Sequence, residues 1–416
     1  MEACEVKLLY FLPRYDAAAI ANGTHTEVIA VWRAHGVETE IVTLTAGLRH
    51  PTTETLDGIT VHRLPVSAGL PLKLANRALS TLLHYPYFAG ALVHYRRLLQ
   101  RHSYDMVHIE TAFPLGLVAA LLPRRSSPPL AVTLPGADIM AEPEFDYGYG
   151  RFKSVRTLLP LVFRRAHVLR ACSRQLQTLA VRLGASPDKI VAIPYNITND
   201  SYPPAGTDLA QFRAAARMAI AARYQLDASK PIVVSLSRLH PFKGVDYLVE
   251  ALAELSYVGM EAQALIIGPS RVTPRFGDYG AYLQQRAADL DMAQQVRFAG
   301  QVERAEIREY LAAADAVVVP SVAESFNRVA VEAAAVGTPV VVTRTTGVSD
   351  YASEHGCGLA VEPRSSSAIA AALAQLFTDH GLWAEMSARG PAMAAQFSSE
   401  AIGMDLLRLY QERLLI

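Results

Sequence analysis

Two carboxylates, Glu324 and Glu332, stand eight residues apart in the stretch ADAVVVPSVAESFNRVAVEAAAVGTPVVV, which runs from Ala314 to Val342. Two cations, Arg238 and Lys243, stand in an earlier stretch, SRLHPFKGVDYLVEAL. Arginine forks onto oxygen pairs and lysine acts as a point charge, so together they suit a diphosphate. Backbone N–H groups at a helix start, here from Ser325 to Val329, offer a further anion site. Carboxylates flanking a phosphate cradle are suited to the hydroxyls of a sugar. The chemistry these residues suggest is that of a sugar–phosphate ligand.

Such groups need elements to hold them. Ala316 to Val319 is a short β-branched run that ends at Pro320, which predicts a buried strand followed by a polar loop. A helix pattern carrying Glu332 follows and stops at Gly337 and Pro339, before a second strand at Val340 to Val342. Ile232 to Leu236 predicts another strand, with Arg238 and Lys243 in the loop before a helix that begins near Val245. In a parallel α/β sheet, ligands sit at the carboxyl ends of strands, where all of these residues fall.

The first half has the same alternating plan. Val6 to Leu12 reads as a strand, and Gly23 stands in the turn to a helix. Thr24 and Glu27 have the spacing of a capping box there. Gly23 either lets backbone amides approach a phosphate or is a plain turn glycine. GxGxxG is absent, which argues against a dinucleotide site. Leu130 to Leu134 ends in PGAD, so Asp138 stands at a strand's carboxyl end, either toward ligand or as a cap for the next turn. His108 falls inside a strand pattern and reads as a core histidine.

At 416 residues, 51% of them hydrophobic and 19% charged, the chain is expected to form two globular domains. Breakers from Tyr195 to Pro204 mark the connection. The expected division is 1–203, 204–395 and a terminal helix, 396–416. A formal net charge of zero gives no sign of a nucleic-acid partner. Three scattered cysteines, Cys4, Cys172 and Cys357, suit a reducing compartment and form no zinc motif. Acidic residues near the N-terminus are unlike a signal peptide, and no apolar run is long enough to span a bilayer. A cytoplasmic protein is expected. Two basic segments without acids, Lys73 to Arg101 and Arg151 to Arg182, interleave with leucines and aromatics. They read either as solvated helix faces or as peripheral contacts with an anionic membrane at its inner face. Asp289-Leu290-Asp291 has the form of a metal-binding DxD, but it ends a helix pattern and reads as surface.

Taken in order, SLSRLHPFKG, VRFAGQV, the opening stretch and FSSEAI…LLRLYQERLL resemble the carboxyl-terminal half of the family-4 retaining glycosyltransferases, over Pro231 to Leu415. YDMVHIE and CSRQLQTLAVRLGASPDKIVAIPYN in the first half are similar in pattern. The resemblance implies an α/β GT-B fold: two Rossmann-like, doubly wound domains facing across a cleft, with the C-terminal helix returning to the first domain. It implies an acceptor-binding first domain and a donor-binding second domain. Glu324 is then expected beside the donor sugar and Glu332 at the ribose hydroxyls. Arg238 and Lys243 hold the diphosphate, with Ser325, Phe326, Asn327, Arg328 and Val329 around the helix-start amides. Val302, after Gly300, meets the base, Gly23 approaches the phosphates and Asp138 completes the catalytic set. The family's ESFG reads ESFN here, and the histidine of its HGxD is Pro135.

The activity so implied is metal-independent, retaining transfer of a hexosyl group from a nucleoside-diphosphate sugar, UDP-linked, to a hydroxyl acceptor such as a glycan, glycolipid or small-molecule glycoside. No cofactor is expected. Two other readings are a GT-B sugar-nucleotide epimerase or hydrolase, and a non-catalytic sugar-nucleotide-binding protein.

Overall fold

The structure, a computed structural model, describes residues 6–16, 22–67 and 69–414. It divides into two units, one of residues 1–195 with 399–416 and one of residues 196–398. The crossings therefore fall at Tyr195/Asn196 and Ser398/Ser399, rather than after 203 and 395.

The first unit holds strands β1 (Val6–Phe11), β2 (Val37–Thr45), β3 (Thr52–Leu56), β4 (Ile59–Pro65), β5 (Met106–Ile109), β6 (Leu130–Leu134), β7 (Val168–Ala171) and β8 (Ile190–Ala192). They form one sheet in the order β3-β4-β2-β1-β5-β6-β7-β8, parallel except for the edge strand β3, which pairs antiparallel with β4. The polar strand β3, TTETL, has no apolar alternation and is not legible as a strand. Helices α1 (Asn22–Ala34), α2 (Leu70–Leu83), α3 (Phe88–Arg101), α4 (Leu117–Ala120), α5 (Lys153–Arg165) and α6 (Arg174–Arg182) connect the strands.

The chain is already helical at Asn22, so Gly23 and Thr24 lie within α1 and Thr24 does not stand at the cap position that the sequence suggests. Glu27 instead accepts a hydrogen bond from Ser399 Oγ. The loop expected before Gly23 lies partly outside the described residues, as does Cys4. In contrast, Ser173 caps α6, accepting from Leu176 N at 3.2 Å.

The second unit holds β9 (Ile232–Leu236), β10 (Gln263–Ile267), a small hairpin β11 (Val272–Thr273) and β12 (Gly277–Asp278), then β13 (Val296–Gly300), β14 (Ala316–Val319), β15 (Val340–Thr343) and β16 (Gly358–Val361). Six of these form an all-parallel sheet in the order β13-β10-β9-β14-β15-β16. Its helices are α7 (Leu209–Tyr224), α8 (Val245–Tyr257), α9 (Tyr279–Asp289), α10 (Ile307–Ala313), α11 (Arg328–Ala335), α12 (Ser349–Glu354), α13 (Ser366–Thr378) and α14 (His380–Ala395).

The β-branched runs of the second sheet serve two cores at once. Ile232, Val234, Val317, Val319, Val340 and Val342 enter a cluster with α7, α10 and α11. Val233, Ala316, Val318 and Val341 enter the cluster on the other face, with α8, α9 and α13. Side chains two apart share a face of a strand, and a parallel sheet is covered on both faces. That is why these strands read as unbroken apolar runs.

The last helix, α15 (Ser399–Leu414), belongs to the first unit and packs on α1. A Cβ on Gly403 would lie 2.8 Å from Val31 Cγ1, so the glycine allows the close approach. Trp32 Nε1 donates to the Gly403 carbonyl at 3.2 Å, and Ile402, Leu406 and Tyr410 complete the core there.

Candidate functional site

In the second sheet the chain leaves β9 toward β10 and β13 on one side, and leaves β14 toward β15 and β16 on the other. The strand order reverses between β9 and β14, which are neighbours, and a crevice opens at such a switch point. The loop after β9 carries Arg238 and Lys243; the loop after β14 carries Glu324.

Close backbone contacts hold these loops together. Gly244 has φ +64, and a Cβ there would sit 2.1 Å from the Pro320 carbonyl oxygen. Any side chain would drive the two loops apart. Beside this contact, Val322 N donates to the Phe242 carbonyl at 2.8 Å. On the other flank the Glu324 loop is tied to the loop after β15. Thr345 Oγ1 donates to the Ser321 carbonyl at 3.0 Å, and Gly347 N donates to that of Glu324 at 3.3 Å.

The result is an ion pair between Lys243 Nζ and Glu324 Oε2, with the two side chains 10% and 15% exposed. Removing one partner of so buried a pair leaves an uncompensated charge. Arg238 is exposed, and its guanidinium has no partner among the described residues, so it remains available to an anion.

Asn327 occupies φ +83, a backbone region that favours glycine and that asparagine tolerates better than most residues. Its Oδ1 accepts from Ala330 N at 3.0 Å and caps α11, while its Nδ2 reaches Glu324 Oε2 at 3.4 Å. One side chain thus supplies a cap that glycine could not, and steadies the carboxylate. The amide it occupies, that of Ala330, lies just past the Ser325 to Val329 amides that the sequence offers to an anion.

Glu332, on α11, is 2% exposed. Arg304 Nη1 lies 2.8 Å from its Oε1, and Ser201 Oγ lies 3.4 Å from the same oxygen. Arg304 also donates to Thr198 Oγ1, Ser201 Oγ and Asp200. Burial pushes the Asp200 carboxyl up, but the Thr198 hydroxyl and the Arg304 charge bring it below its ordinary range. Arg304, Asp200 and Ser201 escaped sequence reasoning. The only signal was a basic residue shortly after Val302.

The remaining expectations divide. Phe326 is 2% exposed and packs on Tyr351 and Phe397, so its side chain belongs to the core rather than to a ligand. Val302 and Val329 are half-buried against the same core. Ser325 and Arg328 are half-exposed beside Asn327. Asp138, in the first unit, is 1% exposed, and its two oxygens accept from Ala112 N at 2.7 Å and Gly136 N at 3.1 Å. Its carboxylate joins its own loop to the loop after β5, and burial pushes it up to about 7 against those donors. Gly23 lies within α1.

Asp289 and Asp291 are exposed at the end of α9, as a surface reading of that motif requires. His108 is buried between Thr133 Oγ1 and the Tyr410 hydroxyl, each at 2.7 Å, and burial pushes it down to about 3. It is a core histidine. Cys172 and Cys357 are free and buried. Among the described residues, no group of three or more His, Cys, Asp or Glu is placed to hold a metal ion. No helix among them is long and apolar enough to cross a membrane.

Comparison with known proteins gives consistent matches. The family described as "Glycosyl transferases group 1" matches residues 217–393, and "Glycosyl transferase 4-like domain" matches 23–196. A D-inositol 3-phosphate glycosyltransferase of Kineococcus radiotolerans is 32% identical over 397 residues, covering 90% of this chain and 86% of that protein. Among solved structures, sucrose-phosphate synthase from Thermosynechococcus elongatus superposes with a TM-score of 0.76 at 20% identity, over 98% of each chain. Anabaena HepE in complex with UDP-glucose superposes with a TM-score of 0.70 at 21% identity, over 98% of this chain and 99% of that one.

Proposed function

Since this chain belongs to the family-4 glycosyltransferases, which have the GT-B fold, we propose that it moves a hexosyl group from a UDP-linked sugar to a hydroxyl acceptor with retention of configuration. The observation that carries this reading is the Lys243–Glu324 pair, held at the switch point of the second sheet beside the unpaired Arg238. Glycosyl transfer requires the anomeric bond to ionise, which leaves negative charge on the departing diphosphate. Arg238 and Lys243 stabilise that charge where it develops, with the backbone amides at the start of α11. A bound diphosphate competes with Glu324 for Lys243, so donor binding separates the pair and releases the carboxylate. Glu324 then orients the sugar hydroxyls and stabilises positive character on the ring, while Asn327 keeps it in place. Retention follows when the acceptor attacks on the leaving-group face and the departing phosphate oxygen takes its proton. The cations of this chain serve the leaving group without a metal.

Glu332 serves the ribose hydroxyls, and Arg304 holds it oriented for that task. Asp138 acts by fixing the turn at Gly136 and the backbone at Ala112, as a positioning residue. UDP is the nucleotide to test first because HepE is described with UDP-glucose. Inositol 3-phosphate is the first acceptor to test, from the name of the relative in Kineococcus.

Peripheral membrane contact is part of the same proposal. Helix α2 exposes Leu70 by 69%, Leu74 by 58% and Leu82 by 58%, with Lys73 and Arg77 also exposed, a pairing suited to an anionic bilayer. Of the second basic segment, Arg165 and Arg170 are buried and cannot share in such a contact.

The test is UDP release from UDP-glucose with and without acceptor. Acceptor-dependent release with an α-linked product supports transfer. Release or sugar interconversion that no acceptor accelerates would instead favour an epimerase or hydrolase. Nucleotide binding without release would leave a binding protein.

A further inference from the structure

The first unit contains a second cavity, of about 810 Å³, lined by none of the donor residues. It lies along α3, the edge strand β3 and the loop that follows β2. His94, Arg97 and Arg101 line it from α3, Arg49 and His50 from the loop, and His102 from the end of the helix. Positions 94, 97 and 101 recur at helical spacing, so they share one face. No carboxylate is among the lining residues.

This is not an ordinary solvated basic face. Arg49, Arg97 and Arg101 have no ion-pair partner among the described residues. His94 is 5% exposed, and neither of its ring nitrogens has a hydrogen-bond partner. A buried polar group of that kind is costly unless something satisfies it. A solvated helix face explains exposed arginines on one helix; it does not explain arginines from a helix and a separate loop lining one cavity with no carboxylate among them. His62, also in the lining, is by contrast fully occupied, by Glu40 Oε2 at 2.7 Å and Thr53 Oγ1 at 3.0 Å. Lys7 and Tyr104 also bond Glu40, so the nearest buried carboxylate is neutralised by partners of its own.

We propose that this cavity is a binding site for a ligand bearing phosphoryl groups, separate from the donor site of the second unit. The arginines fork onto its oxygens from two sides. Arg97 and Arg101 stand one helical turn apart and Arg49 stands on another element, so the site suits two or more phosphoryl groups rather than one. That chemistry is shared by a soluble polyphosphorylated molecule and by the headgroup of an anionic lipid.

The test uses the full chain carrying Arg238→Ala and Lys243→Ala, which removes both donor-site cations, titrated with inorganic pyrophosphate in a calorimeter. One pyrophosphate is expected to bind. Adding Arg97→Ala and Arg101→Ala, both exposed positions whose change leaves the fold intact by circular dichroism, is expected to weaken binding by about a hundredfold. Absence of binding, or equal affinity with and without these substitutions, would overturn the proposal. Cosedimentation with phosphatidylglycerol vesicles that pyrophosphate abolishes would identify a lipid headgroup as the source. Pyrophosphate binding without cosedimentation would support the site with a soluble ligand.

Discussion

Asn327 joins two demands at one position, a backbone at φ +83 and a cap for α11. Asn327→Gly keeps the first and loses the second, so it costs only a few tenths of a kcal/mol. Asn327→Ala loses both and costs about 2 kcal/mol, from the lost cap and a strained backbone. Urea midpoints of the two variants check this; equal destabilisation would show that the backbone conformation is not the constraint. Glu40 is a second residue with a measurable consequence. Burial would raise its carboxyl, but hydrogen bonds from Lys7, Tyr104 and His62 overcome this and hold it at about 2, against an ordinary 4.5. Its stabilisation is complete above pH 4.5 and is lost as pH falls toward 2, amounting to about 3 kcal/mol. Glu40→Gln is expected to flatten that part of the acid-unfolding curve. An unchanged slope would contradict it. Residue types alone pointed to Glu324, Lys243 and Arg238, because a buried strand, a short loop and a helix start leave few places for charge. They could not point to Arg304, since its partners Asp200 and Ser201 lie more than a hundred residues away in sequence.

At the scale of elements, the site depends on loops that meet only because glycine stands between them. Gly244→Ala places a methyl group where the Pro320 carbonyl now lies, in a backbone region unfavourable to alanine. The loops after β9 and β14 must separate, and turnover is expected to fall by about a hundredfold, as for a displacement of about 1 Å in a catalytic group. Native turnover in this variant would mean that loop apposition does not build the site. The strands of the second sheet were legible because parallel packing buries both faces and leaves unbroken Val and Ile runs. Edge strand β3 and the hairpin β11–β12 were not, because short polar strands lack that pattern. The capping box at Thr24 misled for a related reason. Its spacing was right, but the chain is already helical at Asn22, and Glu27 accepts a hydrogen bond from Ser399.

For the whole molecule, the two-unit plan and the return of the last helix to the first unit follow from where apolar surface is buried. The exact crossings do not, because the breaker-rich segment from Tyr195 to Pro204 allows several. Gly403 and Trp32 fix α15 on α1 within the first unit, while the residues proposed to bind the donor diphosphate lie within the second. Nucleotide binding is therefore expected to slow amide exchange in the loops after β9, β14 and β15. The cavity beside α3 should be unaffected. At a UDP concentration about a hundred times its Kd, the second unit gains about 2.7 kcal/mol. Exchange measured with and without UDP checks the location, and protection confined to the first unit would contradict it. The most direct test of the central claim is the rate of UDP release from UDP-glucose by the native protein and by Lys243→Ala, with acceptor present. A fall of about a hundredfold is predicted, from loss of one countercharge to the leaving diphosphate. Equal rates in the two proteins would contradict the account.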